Sequence, residues 1–268
     1  MKRLLHFIFY FMLTVIYMPI NPLLSGHNNH IFNPPKRIFM AIKDNSVTSN
    51  LIKAERHIPI GYTLIKFTDD DCYLELNKFL KYLKMVQEFK FGVMRSDFCR
   101  YLYLYEYGGI YIDSDVVIKD DPIHWISQRP IIEINPHIQI NMVIGLEALA
   151  EYDNDHFMDP FQSVQWTFAA TKKHQIMMDA MDDIYDAYMN NKEDFDNAKH
   201  IVRLTGPGAL TRSYKKYIEM NSNQKIKLEN VPVVVKDVYI GSLSLFNCRQ
   251  LYCSGYTAVD HLFSGSWK

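Results

Sequence analysis

The stretch that decides the fold runs Arg100-Tyr-Leu-Tyr-Leu-Tyr-Glu-Tyr-Gly-Gly-Ile-Tyr-Ile-Asp-Ser-Asp115. Its first half has apolar residues at helical spacing, and the glycine pair at 108–109 is typical of a helix C-terminus. Residues 110–118 are rich in β-branched side chains, which predicts a strand. Because side chains alternate along a strand, Tyr111, Asp113 and Asp115 are expected on one face. The sequence therefore predicts two carboxylates in one small space.

Two neighbouring carboxylates repel each other unless a cation or strong hydrogen-bond donors neutralise them. Mg²⁺ and Mn²⁺ prefer carboxylate oxygens, so Asp113 and Asp115 are candidate ligands of one such ion. An isolated Asp-x-Asp triplet is more often a turn or a solvated segment. The surrounding sequence therefore has to decide between a metal site and a surface turn.

Several segments around the pair share one family pattern. Ser96-Asp97 and Arg100 precede the pair on the same predicted helix. Four later blocks follow in order, namely Val143-Ile-Gly-Leu-Glu147, Gln165-Trp-Thr-Phe-Ala-Ala170 with His174, Thr205-Gly-Pro-Gly208 with Thr211, and Val259-Asp-His-Leu-Phe-Ser-Gly-Ser-Trp-Lys268. Together, roughly residues 34–268 resemble glycosyltransferase family 32. Within that family they are similar to the fungal enzymes that initiate the outer chain of N-glycans by adding an α-1,6-mannose.

The resemblance implies a GT-A-like α/β fold, with a Rossmann-type mixed sheet flanked by helices. It also implies a retaining transfer of mannose from GDP-mannose to a mannose-containing N-glycan, with Mn²⁺ or Mg²⁺ as cofactor. The catalytic residues would be Asp113, Asp115 and Glu147, and the metal ligands would be Asp113, Asp115 and His261. The donor-binding residues would be Asp97, Arg100, Tyr111, Gly206, Ser266 and Trp267.

Other interpretations stay open for some of these residues. Asp97 and Arg100 are three apart on a helix, so they also fit a plain intrahelical ion pair. Gly206 fits an ordinary turn before a helix, and His261 and Trp267 fit packing residues that anchor the end of the sequence. Trp166 and His174 are interpreted as packing residues.

One departure from the family pattern leaves the activity itself open. The family's first strand carries His-Gln-x-Trp, whereas this chain has Phe-Met-Ala-Ile at 39–42. An inositol-phosphate sphingolipid acceptor and a catalytically inactive sugar-binding relative therefore remain alternatives.

The N-terminus has the pattern of a membrane anchor. Lys2-Arg3 precedes a nearly unbroken apolar run to Ile20, and no Ala-x-Ala cleavage site follows. Residues 1–20 are expected to be an uncleaved signal anchor, 21–33 a short stem and 34–268 the catalytic domain. Positive charge on the short N-terminal flank favours a lumenal catalytic domain. With the resemblance, this predicts a single-pass type II protein of the Golgi membrane.

Composition and local patterns complete the prediction. A net charge of −1 gives no reason to expect nucleic acid as a partner, and the oligomeric state is left open. Cys248 and Cys253 are close enough for a local disulfide, and Cys99 is expected to be a buried helix residue. The acidic triplet at 69–71 is interpreted as a helix cap. Strands are predicted over 36–43, 61–68, 131–134, 140–146 and 231–235, and helices over 74–88, 163–170 and 175–188.

Overall fold

The structure is a computed structural model that describes residues 30–43, 47–147, 159, 161–222, 231–246 and 257–263. The predicted anchor, most of the predicted stem, and Ser266 and Trp267 lie outside these ranges. Within them, no helix has the length and apolar character needed to cross a membrane.

A mixed sheet of eight strands forms the centre of the protein, in the order β3-β2-β4-β9-β8-β11-β10-β6. The strands of the described residues are β1 (Ile31–Phe32), β2 (Arg37–Ala41), β3 (Thr63–Phe67), β4 (Gly109–Ile112), β5 (Val116–Ile118), β6 (Ile132–Ile134), β7 (Gln139–Ile140), β8 (Met142–Ile144), β9 (Thr167–Ala170), β10 (Val233–Val235), β11 (Val238–Ile240) and β12 (Val259–His261). Two small additional sheets pair β1 with β7 and β5 with β12. The mixed α/β architecture agrees with the prediction from sequence.

Helices cover both faces of this sheet. They are α1 (Ser49–Arg56), α2 (Asp69–Leu76), α3 (Leu80–Glu88), α4 (Gly92–Tyr107), α5 (Gln175–Asn190), α6 (Ile201–Leu204) and α7 (Pro207–Asn221), with 3-10 turns at Pro122–His124, Lys192–Asp196 and Ala198–His200. A large apolar core joins one sheet face to α2, α3, α4, α5, α6 and α7, and a smaller one lies on the face that carries α1.

The acidic triplet begins α2, as predicted. The Thr68 hydroxyl accepts a hydrogen bond from the Asp71 amide at 3.4 Å, and the Asp71 carboxylate accepts one from the Thr68 amide at 2.9 Å. This reciprocal capping box satisfies two backbone donors at the helix start. The single helix predicted over 74–88 is wrong in its extent, because α2 ends at Leu76 and α3 begins at Leu80.

The helix predicted over 163–170 is also wrong, because residues 167–170 form strand β9. This strand runs antiparallel between β4 and β8. All four of its residues are buried, so the segment lacks the polar alternation that marks a strand with one wet face. A short, fully apolar run of this kind does not distinguish a buried strand from a buried helix.

The junction of α4 and β4 requires its glycine pair. Gly108 and Gly109 have φ values of 63° and 135°. A Cβ atom on Gly109 would lie 2.5 Å from the carbonyl oxygen of Arg37 in the neighbouring strand β2. The glycine therefore allows α4 to turn directly into a central strand.

A disulfide between Cys72 and Cys99 joins α2 to α4. Both cysteines are buried. The prediction that Cys99 is a buried helix residue is confirmed, whereas its bond to Cys72 was not predicted. The suggested pair Cys248 and Cys253 lies outside the described residues.

Candidate functional site

The Asp-Ser-Asp segment at 113–115 is a tight turn between two strands. Strand β4 ends at Ile112 and β5 begins at Val116, so the single strand predicted over 110–118 is wrong. The Val116 amide donates to the Asp113 carbonyl at 3.0 Å, which closes the turn. The turn lies at the carboxyl end of β4, the edge at which open α/β sheets bind ligands.

His261 completes a cluster with the two aspartates. Strand β12 pairs antiparallel with β5, with His261 opposite Val116. The His261 Nε2 atom lies 3.2 Å from Asp115 Oδ1. One ligand atom from each of Asp113, Asp115 and His261 lies within 4.8 Å of the other two. Two carboxylates and an imidazole are a suitable donor set for Mn²⁺, and the residues therefore fit the predicted cofactor.

Arg100 lies beside this cluster as a buried cation. Its Nη2 atom is 2.8 Å from Asp97 Oδ1, and its Nη1 atom is 3.5 Å from Asp113 Oδ1. The intrahelical pair of Asp97 and Arg100 is therefore present, and the same guanidinium also reaches Asp113. The structure brings the predicted donor-binding pair and the predicted metal ligands into one network.

Tyr111 connects Arg100 to Asp113. Its hydroxyl donates to Asp113 Oδ1 at 2.7 Å, and the Arg100 guanidinium lies 4.5 Å from the centre of its ring. Burial raises the pKa of Tyr111 well above its usual value; Arg100 lowers that pKa in part, and Asp113 raises it. The phenol therefore stays protonated and fixes one oxygen of Asp113 as an acceptor.

Asp97 is held by protein donors at both of its oxygens. Oδ1 faces Arg100, and Oδ2 accepts a hydrogen bond from the Thr205 hydroxyl at 2.8 Å. Burial raises the pKa of Asp97 to about 6, although Arg100 and Thr205 act in the opposite direction. In this arrangement Asp97 orients Arg100.

Gln165 is a site residue that the sequence did not single out individually. Its carbonyl accepts a hydrogen bond from Arg100 Nη1 at 2.9 Å. Its side-chain amide donates to the Tyr101 hydroxyl at 2.6 Å and to the Thr205 carbonyl at 2.9 Å. The block that begins at Gln165 in the family pattern was the available signal.

Glu147 and Gly206 are the remaining predicted site residues that the structure describes. Glu147 follows β8 at the same sheet edge, and its Oε1 accepts a hydrogen bond from the Gln162 amide at 2.6 Å. Gly206 begins α7, where a Cβ atom would lie 2.9 Å from the Val202 Cα. The packing of α6 against α7 is thus sufficient to require a glycine at position 206, as the alternative interpretation proposed.

The comparison with known families fits this geometry. The family model described as "Glycosyltransferase sugar-binding region containing DXD motif" matches residues 40–132, which include Asp97, Arg100, Asp113 and Asp115. The match therefore covers the part of the chain that contains the Asp-Ser-Asp turn and the buried Asp97–Arg100 pair.

Curated relatives include two named initiation-specific alpha-1,6-mannosyltransferase. The one from Schizosaccharomyces pombe is 29% identical over 192 residues, which cover 66% of this chain and 47% of the relative. The one from Candida albicans is 24% identical over 210 residues, which cover 66% of this chain and 54% of the relative. The chain thus spans about half the length of these relatives.

Solved glycosyltransferases are more distant. The structure described as PaToxG glycosyltransferase shares 16% identity, covers 71% of each chain and has a TM-score of 0.43. A glycosyltransferase involved in glycosylation of the major capsid of PBCV-1 shares 11% identity, with a TM-score of 0.30 over 80% of this chain and 85% of the other.

Proposed function

We propose that this chain is a retaining, metal-dependent α-1,6-mannosyltransferase that uses GDP-mannose as donor and a mannose-containing N-glycan as acceptor. The observation that carries the proposal is the cluster of Asp113, Asp115 and His261 beside the buried Arg100, at the carboxyl edge of the sheet. The sugar and the linkage are taken from the names of the curated relatives.

The site residues would stabilise the departing nucleotide diphosphate. Asp113, Asp115 and His261 would hold Mn²⁺ or Mg²⁺, and a bound divalent ion supplies positive charge where the phosphate charge develops. Arg100 adds a second, preorganised positive charge, because Asp97 and Gln165 already hold its guanidinium. Tyr111 keeps the Asp113 carboxylate in one orientation.

The proposed transfer needs no covalent intermediate with the protein. The bond between the anomeric carbon and the phosphate oxygen breaks, and the acceptor oxygen bonds to that carbon from the same face. The leaving phosphate takes the acceptor proton. Glu147 at the same sheet edge is proposed to contact the acceptor, and Gly206, Ser266 and Trp267 are proposed donor contacts.

The central experiment is a transfer assay with the purified full-length chain in detergent. GDP-mannose and uridine sugars are offered as donors, and a high-mannose N-glycan and an inositol-phosphate ceramide as acceptors, with Mn²⁺, Mg²⁺ or a chelator. We expect mannosylation of the N-glycan only with GDP-mannose and metal. Transfer to the lipid alone would overturn the acceptor, and turnover only with a uridine sugar would overturn the donor. Binding of a sugar nucleotide without transfer or hydrolysis would favour the alternative that the chain is a catalytically inactive sugar-binding protein.

We also propose that residues 1–20 anchor the chain in the Golgi membrane with the catalytic domain in the lumen. The charged start and apolar run support this, and the Cys72–Cys99 disulfide is compatible with an oxidising compartment. In intact microsomes the C-terminal domain should resist added protease, and carbonate should not extract the protein. A digestible C-terminal domain in sealed vesicles would contradict the proposed orientation.

A further inference from the structure

The imidazole of His261 lies between two aromatic rings. The Trp166 ring is parallel to it, with 4.6 Å between ring centres and 18° between the planes. The Phe263 ring lies on the imidazole at 4.1 Å with a tilt of 52°. Trp166 is 8% exposed and belongs to the apolar core, whereas Phe263 is largely exposed. Of the two rings that contact His261, the Trp166 ring is therefore the one held in place by the core.

Within the part of the chain that the structure describes, the His261 imidazole lacks the hydrogen bond that usually orients a metal-binding histidine. Such a residue normally donates its second ring N–H to a carboxylate, a carbonyl or water. The Nδ1 atom of His261 is buried and has no hydrogen-bond partner among the described residues. On the Nδ1 side, the orientation of the ring therefore depends on its aromatic contacts and on the pairing of β12 with β5, while Nε2 faces Asp115 at 3.2 Å.

Trp166 contacts the cluster through its backbone as well. Its carbonyl oxygen accepts a hydrogen bond from the Asp113 amide at 2.8 Å. The same residue thus fixes the start of the Asp-Ser-Asp turn and the plane of the imidazole. Its neighbour Gln165 holds Arg100 and Thr205. The Gln165-Trp166 pair consequently supports both halves of the site.

We propose that Trp166 is a positioning residue for the metal site, and that its stacked ring orients His261 in the role that a hydrogen bond to the second ring nitrogen usually has. The inference rests on the proposed metal role of Asp113, Asp115 and His261. An aromatic face at position 166 is what this role requires, because a flat ring restrains the tilt of the imidazole and an aliphatic side chain of similar burial does not. Trp166 itself binds neither metal nor substrate.

The test is a direct Mn²⁺ titration of the full-length chain, followed by EPR. Trp166→Leu keeps an apolar side chain and removes the flat ring, so the dissociation constant for Mn²⁺ should rise by at least about tenfold, as for other changes in groups that orient metal ligands. Trp166→Phe retains a ring and should stay close to wild type. The matched control is Trp125→Leu, since Trp125 is fully buried and packs edge-on against Phe246.

Pulsed EPR separates a positioning role from general loss of stability. A coordinated imidazole adds a ¹⁴N modulation to the spectrum of Mn²⁺, and His261→Ala defines its absence. Trp166→Leu should weaken this modulation at saturating Mn²⁺, whereas Trp125→Leu should leave it unchanged even if its thermal midpoint falls further. Equal Mn²⁺ affinity in wild type and Trp166→Leu would overturn the role of Trp166 and leave the proposed metal site standing. A loss of Mn²⁺ affinity in Trp166→Phe as large as that in Trp166→Leu would do the same. A wild-type chain that binds no Mn²⁺ would overturn the proposed metal site itself.

Discussion

Arg100 is the residue on which the charge balance of the site depends. Its side chain is 5% exposed and faces two carboxylates, one on its own helix and one on the turn after β4. A buried charge that loses a partner retains its desolvation cost, so breaking such a pair costs far more than breaking an exposed one. The Asp97–Arg100 pair should therefore behave as part of the core.

Asp97→Asn tests this expectation. At pH 7.5 the variant should lose about 3–5 kcal/mol of unfolding free energy, because Arg100 keeps its buried charge and loses its nearest anion. Urea unfolding followed by circular dichroism measures the loss. Asp183→Asn removes one partner of a part-exposed pair with Arg212 and should cost no more than about 1 kcal/mol. Equal unfolding midpoints for the two variants would contradict the expectation.

Asp115→Asn tests the proposed metal role of the cluster. Loss of one proposed anionic ligand should lower kcat/KM for the proposed mannose transfer by on the order of 100-fold or more, since a bound ion contributes several kcal/mol of charge stabilisation. Asp260→Asn is the matched control, because Asp260 precedes His261 on β12, is 51% exposed and pairs with Lys119. If Asp115→Asn turned over substrate as fast as the wild type in excess chelator, the metal role would be excluded.

At the scale of elements, helix α4 carries the site and is constrained along its length. Asp97 and Arg100 project from its middle, and Cys99 between them is bonded to Cys72 on α2. The glycine pair at 108–109 then leads directly into β4 and the Asp-Ser-Asp turn. The disulfide and the turn together fix how far the Arg100 guanidinium lies from Asp113.

Removal of the disulfide should destabilise the fold. Cys72 and Cys99 are 27 residues apart, and closing a loop of that length in the unfolded chain corresponds to about 3–4 kcal/mol. The double variant Cys72→Ala/Cys99→Ala should show this loss in urea unfolding. Wild-type protein unfolded by urea in the presence of a reductant should lose a similar amount of unfolding free energy. Unchanged midpoints in both experiments would show that the bond contributes nothing to stability.

The elements that sequence predicted best are those whose signal is local. The strands expected over 36–43 and 61–68 are β2 and β3. The triplet at 69–71 begins a helix, because the side chains of Thr68 and Asp71 each accept a hydrogen bond from the other residue's backbone amide. Strand β9 does not have the helical structure predicted for it, because its side chains are buried in the cores on both faces of the sheet and its sequence therefore lacks the polar alternation of a half-exposed strand.

The site was predictable only in part for the same reason. Asp113 and Asp115 converge as expected, although a turn brings them together where a continuous strand was predicted. His261 was a candidate through the family resemblance. The contacts of Gln165 and Trp166 cross from distant segments of the chain, and local periodicity carries no information about such pairings.

At the scale of the whole molecule, a second buried polar group lies at the sheet edge opposite the site. His174 begins α5, and its Nδ1 accepts a hydrogen bond from the Ile176 amide. Its Nε2 lies 3.8 Å from Asp237, which also accepts a hydrogen bond from the Tyr217 hydroxyl at 2.5 Å. Burial lowers the pKa of His174 to about 4, while Asp237 raises it in part. His174 is therefore neutral in the folded protein near neutral pH, in agreement with its interpretation as a packing residue.

This histidine should make stability depend on pH. The pKa is 6.5 in the unfolded chain and about 4 in the folded one, so between these values the unfolded state binds more protons. The contribution of neutral His174 to the unfolding free energy is fully present above its pKa in the unfolded chain. About 2 kcal/mol of that free energy should be lost as the pH falls from 7 to 5.

His174→Asn retains a helix-capping side chain and should give a flatter profile of unfolding free energy against pH. His137→Asn changes an exposed histidine and should follow the wild type. The difference between the His174→Asn and wild-type profiles isolates His174 from Asp97, whose raised pKa acts with the opposite sign in the same pH range. Parallel profiles for wild type and His174→Asn would contradict the prediction.

The pairing of β12 with β5 has a consequence for the order in which the site is made. The ribosome delivers Asp113 and Asp115 long before His261, although strand pairing places the three side chains together. A nascent chain therefore carries the acidic turn, and much of the central sheet, while the imidazole is still inside the translation machinery. Competence to hold the proposed ion is acquired only after residues 259–261 have emerged and β12 has paired with β5, and metal loading should report that this strand has docked.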